Sequence, residues 1–178
     1  MTLERYVERL FESLVAGDRP AARGLVQEMA SAGVEPVEVI GDVYWPTYEL
    51  VERLYRQDQL TKMAHHLATR LLRSLVDQTS ATIEAAPARD RSILAVCGPE
   101  EADELGAQMA VDLLEAAGYH VNFAGGGIPN DEVLAQVHMS RPDVLLLFAS
   151  APSDLPCIRA LVDTLQEIGA HRAQIVVG

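Results

Sequence analysis

The stretch that decides the fold is Ser92–Ala149, which reads SILAVCGPEEADELGAQMAVDLLEAAGYHVNFAGGGIPNDEVLAQVHMSRPDVLLLFA. Three short aliphatic runs lie in or at the ends of it, at Ser92–Cys97, Val121–Ala124 and Val144–Ala149, and Gln174–Val177 adds a fourth. Continuous apolar runs of this length predict strands that are buried on both faces. Because segments with helical periodicity separate the runs, the pattern predicts a parallel sheet with helices on both faces.

The loops that follow these strands are where a ligand is expected. Helices are predicted at roughly Glu101–Ala117, Asp131–Met139 and Asp154–Ile168, with Asn130 as a cap. Parallel sheets bind ligands beyond the carboxyl ends of their strands, where the strand order switches. The segments of interest are therefore Gly98–Glu104, Gly125–Asn130, Ser150–Asp154 and the end of the chain at Gly178.

Residues before the linker AAPARDR (85–91) have a different pattern, with apolar side chains at helical spacing throughout. We predict four amphipathic helices packed as a small bundle. They run over Leu3–Val15, from the cap Asp18 to Gly33, from Pro36 with a kink at Pro46, and onward from the cap Thr61. The predicted domains are a four-helix bundle at residues 1–88 and an α/β domain at residues 89–178.

Composition excludes several classes of partner. The chain has 178 residues with 14 basic and 26 acidic side chains, a formal net charge of −12. This balance argues against direct binding of nucleic acid, which needs clustered Lys and Arg to neutralise phosphates. No apolar run reaches the length of a membrane span, and the N-terminus lacks a signal peptide. We expect a cytoplasmic protein whose cysteines, Cys97 and Cys157, are free thiols.

Motifs for catalysis are lacking from the sequence. It contains no GxGxxG after a strand, no GxxxxGK[ST] and no spacing typical of a catalytic triad. Three glycines at 125–127 either allow a flat ligand to approach the backbone or make a flexible turn. Acidic residues of GPEEADELG complement a helix dipole or, alternatively, bind a hard cation. Neighbouring His65 and His66 point about 100° apart on a helix, so they cannot ligate one metal as an i, i+4 pair does. We expect a binding protein rather than an enzyme.

The order of parts resembles a cobalamin-binding module. GPEEADELGAQMAVDLLEAAGYHVNFAGGGIPNDEVLAQV and PDVLLLFASAPSDLPCIRALVDTLQEIG are similar to the family's flavodoxin-like domain, and WPTYELVERLYRQDQLTKMAHHLATRLLRSLV to the bundle of its photoreceptor branch. The resemblance implies that the bundle caps the upper face of a corrin and that the flavodoxin-like domain holds the lower face. It also implies a fifth strand and a final helix, so we expect the chain to be truncated after its fourth strand.

The lower-face motif of the family is Asp or Glu, any residue, His, two residues, Gly, and its His binds cobalt. Here the frame runs from Glu101 to Gly106 and places Asp103 at the histidine position. A carboxylate is a poorer ligand than imidazole for low-spin cobalt, so we expect cobalamin with its own base attached, or no cobalamin. The resemblance further implies a cofactor-binding role for Gly125 and Gly126, for Ser150 and Ser153 in place of a Ser-x-Leu motif, and for Gly178 in place of a Gly-Gly pair.

The upper-face motif of the photoreceptor branch is Trp, nine residues, then Glu-His. In this frame Tyr55 takes the Trp position and His65-His66 take the Glu-His position. The resemblance implies that Tyr55 stacks on a macrocycle and that His65 or His66 is a candidate axial metal ligand. Trp45, ten residues before Tyr55, is expected in the bundle core.

Three functions follow from these expectations. The first is a regulatory sensor that binds cobalamin, or alternatively haem or a bilin, between bundle and sheet domain and signals to a protein partner or through self-association. The second is a degenerate, ligand-free module for interaction or dimerisation. The third is a corrinoid methyl-carrier, against which Asp103 argues because such carriers use the lower His.

Overall fold

The computed structural model describes residues 2–98, 104–149, 152–167 and 173–178. The chain divides into two compact units between Glu84 and Ala85. The sequence prediction puts this boundary after residue 88, whereas the backbone N–H of Ala86 donates to the carbonyl of Ala116 at 2.8 Å. The linker residues 85–88 are therefore part of the second unit in the structure.

The first unit is helical. Its elements are α1 (Leu3–Val15), α2 (Arg19–Ser31), α3 (Pro36–Glu38), a π-helical segment (Val39–Tyr44), α4 (Trp45–Arg56) and α5 (Lys62–Ser80). Both predicted caps are present, because Asp18 Oδ1 accepts the backbone N–H of Ala21 at 3.0 Å and Thr61 Oγ1 accepts that of Ala64 at 3.2 Å. These local signals begin α2 and α5 where the sequence predicts.

The regular helix is interrupted directly before Pro46, close to the predicted kink. The chain widens into π-helical turns over Val39–Tyr44, and Pro46 lies in the first turn of α4. Pro46 has no N–H, so it leaves a carbonyl of the preceding turn without a backbone donor. The side chain of buried Thr47 donates to the Val43 carbonyl at 2.6 Å, which gives that oxygen a partner at the junction.

The core of the first unit is apolar and includes a buried polar pair, Tyr44 and Thr79. The Tyr44 hydroxyl lies 2.9 Å from Thr79 Oγ1, and burial raises the pKa of Tyr44 to about 12. Trp45, expected in the core, is 39% exposed, because its neighbour Tyr44 occupies the inward position on the helix. Around this pair the fully buried side chains include Leu10, Leu14, Met29, Ile40, Val43, Val51, Leu72, Leu75 and Val76.

The second unit is a parallel sheet with helices. Its elements are β1 (Ser92–Cys97), α6 (Glu104–Ala116), β2 (His120–Gly125), α7 (Asn130–Ser140), β3 (Val144–Phe148), a 3₁₀ turn (Pro152–Asp154), α8 (Leu155–Glu167) and β4 (Gln174–Val177). The strand order is β2-β1-β3-β4 and all three pairings are parallel. This confirms the predicted fold class, a helical part followed by a four-stranded parallel sheet.

Burial differs between the central and outer strands. Central β1 is buried at five of its six positions, as predicted. The outer strand β2 alternates instead, with Asn122 and Ala124 exposed, and β4 leaves Val177 48% exposed. The prediction of strands buried on both faces is therefore wrong for β2 and β4, because an outer strand has a neighbour on one side only.

The sequence predicts Asn130 as the cap of α7, and this prediction is wrong. Asn130 is the first residue of the helix, and its side-chain amide reaches across to α8, where it donates to the Cys157 carbonyl at 3.5 Å. Cys97 is buried, Cys157 is partly buried, and both are free thiols. None of the helices in the described part of the chain is both long and apolar enough to cross a membrane.

Candidate functional site

Three predicted site residues of the first unit lie together. Tyr55 is in the last turn of α4, while His65 and His66 are in the first turns of α5. The rings of Tyr55 and His65 are stacked, with centroids 4.0 Å apart and planes inclined by 20°. His66 approaches His65 edge-on, with centroids 6.0 Å apart at 87°. We call Tyr55, His65 and His66 the ring cluster.

A buried carboxylate fixes the middle ring of this cluster. Glu52 Oε1 lies 2.6 Å from His65 Nε2, and the two side chains are only 11% and 18% exposed. Glu52 and Tyr55 are three residues apart on α4, so they lie on one face of the helix. That face therefore contacts the His65 ring both through the carboxylate and through the phenol ring.

His66 is exposed and borders a groove on the surface of the same unit. The groove has a volume of about 410 Å³ and lies against Gly17, at the turn between α1 and α2. Arg19 and Arg70 also border the groove. Neither guanidinium has a carboxylate partner within the described residues. The other lining residues are Met63, Leu67, Leu71 and Ser74. The two histidines thus have different surroundings. His65 packs against Glu52 and Tyr55 of α4, whereas His66 lies in an open groove.

In the second unit, the carboxyl ends of the strands meet as predicted. The N–H of Gly127 donates to the Gly98 carbonyl at 3.3 Å, which joins the segments after β1 and β2. The N–H of Ala149 donates to the Gly178 carbonyl at 2.7 Å, which joins the ends of β3 and β4. Ser153 is exposed in the turn after β3. Gly178, Ser153 and the glycine triplet therefore all follow the carboxyl ends of strands.

Glu104 closes the glycine triplet. Its Oε1 accepts the backbone N–H of Gly126 at 2.8 Å. Gly125 has a φ of +75°, and a Cβ placed there would lie 2.6 Å from the same carboxylate oxygen. The sequence left open whether the triplet is a turn or a platform for a flat ligand. In the structure the triplet bends the chain after β2, and the N–H of Gly126 is bonded to the Glu104 carboxylate.

A second carboxylate lies in the same region. Asp154 is buried at the end of the 3₁₀ turn, and a Cβ on Gly98 would lie 2.8 Å from its Cγ. Gly106, predicted to face a cofactor, is buried within α6. Among the residues that the structure describes, no three His, Cys, Asp or Glu side chains converge on a metal site.

Three predicted site residues, Glu101, Asp103 and Ser150, lie outside the described residues. The replacement of the cobalt-binding histidine by Asp103 thus stays a prediction from the sequence. The acidic cation site predicted for the same loop also depends on residues 99–103. What the structure describes of this loop is its two ends, Gly98 and Glu104.

Two cavities of the second unit lie beside α7. The larger, of about 490 Å³, lies against β2 and is bordered by the polar side chains of Asn122, Glu132 and Gln136. The smaller, of about 30 Å³, lies between α7 and α8 near Cys157. The volume of the second is about that of one water molecule in the liquid, so it does not hold a cofactor.

Two residues of the site escaped sequence reasoning. Glu52 was not singled out, although its spacing of three from Tyr55 places both on one helix face. Glu104 was interpreted as a partner for the helix dipole or, alternatively, as part of a hard-cation site. Its contact with Gly126 joins residues 22 positions apart, and no local pattern in the sequence indicates such a pair.

The sequence comparisons match these units to corrinoid proteins. Residues 6–79, which include the ring cluster, match the model of the B12 binding domain family. A methanol–corrinoid protein from Methanosarcina barkeri is 23% identical over 144 residues, which is 81% of this chain. The chain spans 56% of the length of that relative.

Solved structures of similar fold extend the match to the second unit. The monomethylamine corrinoid protein of Methanosarcina barkeri aligns with a TM-score of 0.83 at 13% identity, over 99% of this chain and 84% of that one. A methanol:cobalamin methyltransferase complex from the same organism has a TM-score of 0.53 at 20% identity, over 98% and 67% of the two chains. A cobalamin-binding protein from Desulfitobacterium hafniense DCB-2 has a TM-score of 0.54 at 17% identity, over 100% and 84%.

The two kinds of match cover different parts of the chain. The family model covers the helical unit that contains the ring cluster, and the structural alignment covers both the helices and the parallel sheet. By these matches, residues 6–79 are a B12 binding domain, and the chain as a whole has the fold of a solved corrinoid protein.

Proposed function

We propose that this protein binds a corrinoid and acts as the corrinoid-carrying module of a methyl-transfer system, together with a protein partner. The observation that supports this most is that the ring cluster lies within residues 6–79, the segment matched by the B12 binding domain model. The relatives named above are corrinoid or cobalamin proteins, one of them in a complex with a methyltransferase. Their descriptions favour the carrier over the sensor, and they give no support to haem or a bilin.

The chemistry of the ring cluster fits a corrinoid. Imidazole nitrogen is a good ligand for cobalt, and His65 and His66 supply two such rings. Tyr55, stacked 4.0 Å from His65, adds a flat aromatic surface that suits a macrocycle. A bound corrinoid supplies the cobalt that accepts and gives up a methyl group. The roles of Tyr55, His65 and His66 are to contact its upper face, and the partner supplies the catalytic groups.

The loops of the second unit supply further candidates for corrinoid contacts. In this proposal the loop that carries Asp103 at the histidine position would offer no imidazole to the cobalt, which leaves His65 and His66 as the candidate nitrogen ligands. Glu101, Gly106, Gly125, Gly126, Ser150, Ser153 and Gly178 stay candidates for contacts there. Glu104 lies against the glycine triplet, so a ligand that reaches this turn has to displace the carboxylate or accept it as a neighbour.

A cobalamin-dependent sensor is the second candidate. The stacked Tyr55 and His65 favour it, because an aromatic ring over the upper ligand shields a light- or ligand-sensitive bond from solvent. In that case the partner is a regulator, or a second copy of this chain.

The test of the proposal is retention of cobalamin. The purified chain is incubated separately with aquacobalamin, methylcobalamin, haem and biliverdin, freed of unbound ligand by gel filtration, and measured by absorption. We expect the cobalamins to be retained and haem and biliverdin to pass through. If no cobalamin is retained, the proposal is wrong and the ligand-free module is favoured; retention of haem or biliverdin alone also contradicts it.

The carrier and the sensor are separated by the response of the loaded protein. The chain is loaded with methylcobalamin and with adenosylcobalamin, and its mass is measured by light scattering in the dark and after illumination. A carrier is expected to keep its oligomeric state in both conditions. A change of oligomeric state on illumination would favour the sensor over the carrier.

A further inference from the structure

Glu52 is a buried acid to which neither the sequence motifs nor the comparisons give a role. The residue as a whole is 8% exposed, and it lies on the face of α4 that packs against α5. A carboxylate in such a position is costly unless it is paired and hydrogen-bonded. The partner that it has is His65, through the 2.6 Å contact with Nε2.

The contact determines which nitrogen of His65 carries a proton. A carboxylate accepts hydrogen bonds and does not donate them, so Nε2 must be protonated whenever it bonds to Glu52. In the neutral ring the lone pair is then on Nδ1. Within the described residues, Nδ1 makes no hydrogen bond to the protein.

The ring is also fixed in orientation. Tyr55 stacks on one of its faces at a 20° inclination, and Glu52 binds one of its edges. These two contacts come from a single helix face, so rotation of the His65 ring would lose both together. Histidine ligands of metals commonly have this arrangement, in which a carboxylate binds one nitrogen and the metal binds the other.

We propose that Glu52 is a positioning residue, which holds His65 stacked on Tyr55 in the Nε2–H tautomer and so makes Nδ1 the nitrogen with which His65 binds the cobalt of a corrinoid. The cobalt part of this inference rests on the proposed function, whereas the tautomer is a property of the protein alone. His66 has no carboxylate partner of this kind among the described residues, so Glu52 also selects His65 over its neighbour.

The tautomer is tested first, on the full chain without ligand. The protein is labelled with ¹⁵N-histidine, its ring nitrogens are observed by long-range ¹H–¹⁵N NMR, and His65 is assigned from the His65→Ala spectrum. We expect one protonated nitrogen, Nε2, and one unprotonated nitrogen, Nδ1. Glu52→Ala is expected to bring the two ¹⁵N shifts together through tautomer exchange. Glu52→Gln retains an acceptor oxygen and is expected to restore much of the difference.

The ligand is tested second, with aquacobalamin as the probe. Glu52→Ala is expected to raise the concentration needed for half of the absorption change by roughly 10–100-fold, as loss of a carboxylate behind a metal-binding histidine does. His65→Ala is expected to abolish the spectral signature of nitrogen ligation, and His66→Ala to retain it. Glu49→Gln, an exposed acid one turn earlier on α4, is the matched control and is expected to behave as wild type.

The outcomes distinguish the inference from the function on which it rests. A wild-type His65 with its proton on Nδ1, or a tautomer unchanged in a folded Glu52→Ala protein, overturns the inference whether or not cobalamin binds. Loss of nitrogen ligation in His66→Ala but not in His65→Ala overturns the cobalt part. If the wild type retains no cobalamin, the proposed function fails, and the NMR result still decides the role of Glu52. Circular dichroism checks that each variant is folded.

Discussion

The two units treat their acidic side chains in opposite ways. In the helical unit, Glu52 pairs with His65 and leaves three rings grouped at the junction of α4 and α5. At the strand ends of the second unit, Glu104 binds backbone N–H and fills the space beside a glycine. The first arrangement orients a possible ligand for cobalt, whereas the second closes a turn.

The difference separates two ways in which a candidate binding residue is prepared. A paired carboxylate beside an imidazole fixes a donor atom and leaves another nitrogen of the ring unbonded. A carboxylate that accepts a backbone N–H stabilises the local fold, and that oxygen is then already hydrogen-bonded to the protein. We therefore expect substitutions in the glycine turn to change stability more than ligand chemistry, and substitutions around His65 to do the reverse.

The largest effect is expected from Gly125→Ala. At a φ of +75°, a Cβ would lie 2.6 Å from Glu104 Oε1, so both the backbone and the contact are strained. The free energy of unfolding of the second unit should fall by about 2–3 kcal/mol. The measurement is a urea titration in which amide hydrogen exchange in β1 and β2 reports the unfolding of the second unit.

Gly24→Ala is the control for this change. Gly24 lies within α2 and a Cβ there meets nothing within 4 Å, so the substitution should stabilise the helical unit by about 0.5–1 kcal/mol. Adding Glu104→Ala to Gly125→Ala should recover part of the lost stability. An unaltered unfolding midpoint for Gly125→Ala would show that the turn is not closed by Glu104.

Tyr44→Phe probes the buried polar pair of the helical unit. Removing the hydroxyl leaves Thr79 Oγ1 without its 2.9 Å partner inside the core, which should cost about 1–2 kcal/mol. Trp45 is the single tryptophan, so its fluorescence follows the unfolding of this unit. The double variant with Thr79→Val should lose less than the sum of the two single changes, and strict additivity would contradict a direct hydrogen bond.

Glu104→Ala should have a smaller effect, about 1 kcal/mol, because it removes a single hydrogen bond from a partly buried N–H. The expected signature is local: amide exchange at Gly126 becomes faster, while exchange in the helical unit does not change. Glu115→Ala, an exposed acid of the same helix α6, serves as the control and should leave Gly126 protected. Equal exchange rates in the two variants would contradict the role of Glu104.

The smallest expected effect concerns Asp143 and pH. Hydrogen bonds from the backbone N–H of Ser92 at 2.7 Å and from its hydroxyl at 3.1 Å hold the pKa of Asp143 below its usual range. The stabilisation is therefore complete above the pKa of the unfolded state and is lost as pH falls through the lowered pKa. Asp143→Asn should be less stable than wild type at neutral pH, and the difference should shrink below about pH 4.

The control for this titration is Asp90→Asn, in the exposed linker. Stability is measured by urea unfolding at a series of pH values from 7 to 2. A difference between wild type and Asp143→Asn that stays constant over this range would show that the charge of Asp143 does not contribute through Ser92.

Prediction from sequence worked where the signal is local. Asp18 and Thr61 begin their helices as predicted, because a capping side chain bonds to a backbone N–H only three residues away. It failed for Trp45, since one position along a helix turns a side chain by about 100° and the neighbouring Tyr44 takes the buried position. Tyr44 is the last residue of the π-helical segment, and Trp45 is the first residue of α4.

The candidate site was predictable in part, for the same reason. Tyr55, His65 and His66 were found from the resemblance to the upper-face motif, and the structure does bring their rings together. The role of Glu52 was missed because its partner is 13 residues away on another helix. For Glu101, Asp103 and Ser150, which lie outside the described residues, the sequence prediction is all that there is.

By itself, the sequence determined the two-part architecture, the helix caps, the parallel strands and the likeness to cobalamin-binding proteins. The architecture, caps and strands depend on periodicity and on neighbours a few residues apart, which any window of sequence contains, whereas the likeness rests on a resemblance to the family's motifs. The tertiary structure alone decided that β2 and β4 are outer strands, that Glu104 closes the glycine turn and that Glu52 fixes His65. Each of these depends on contacts between elements distant in sequence, because burial and pairing of a polar group are set by what the fold places against it.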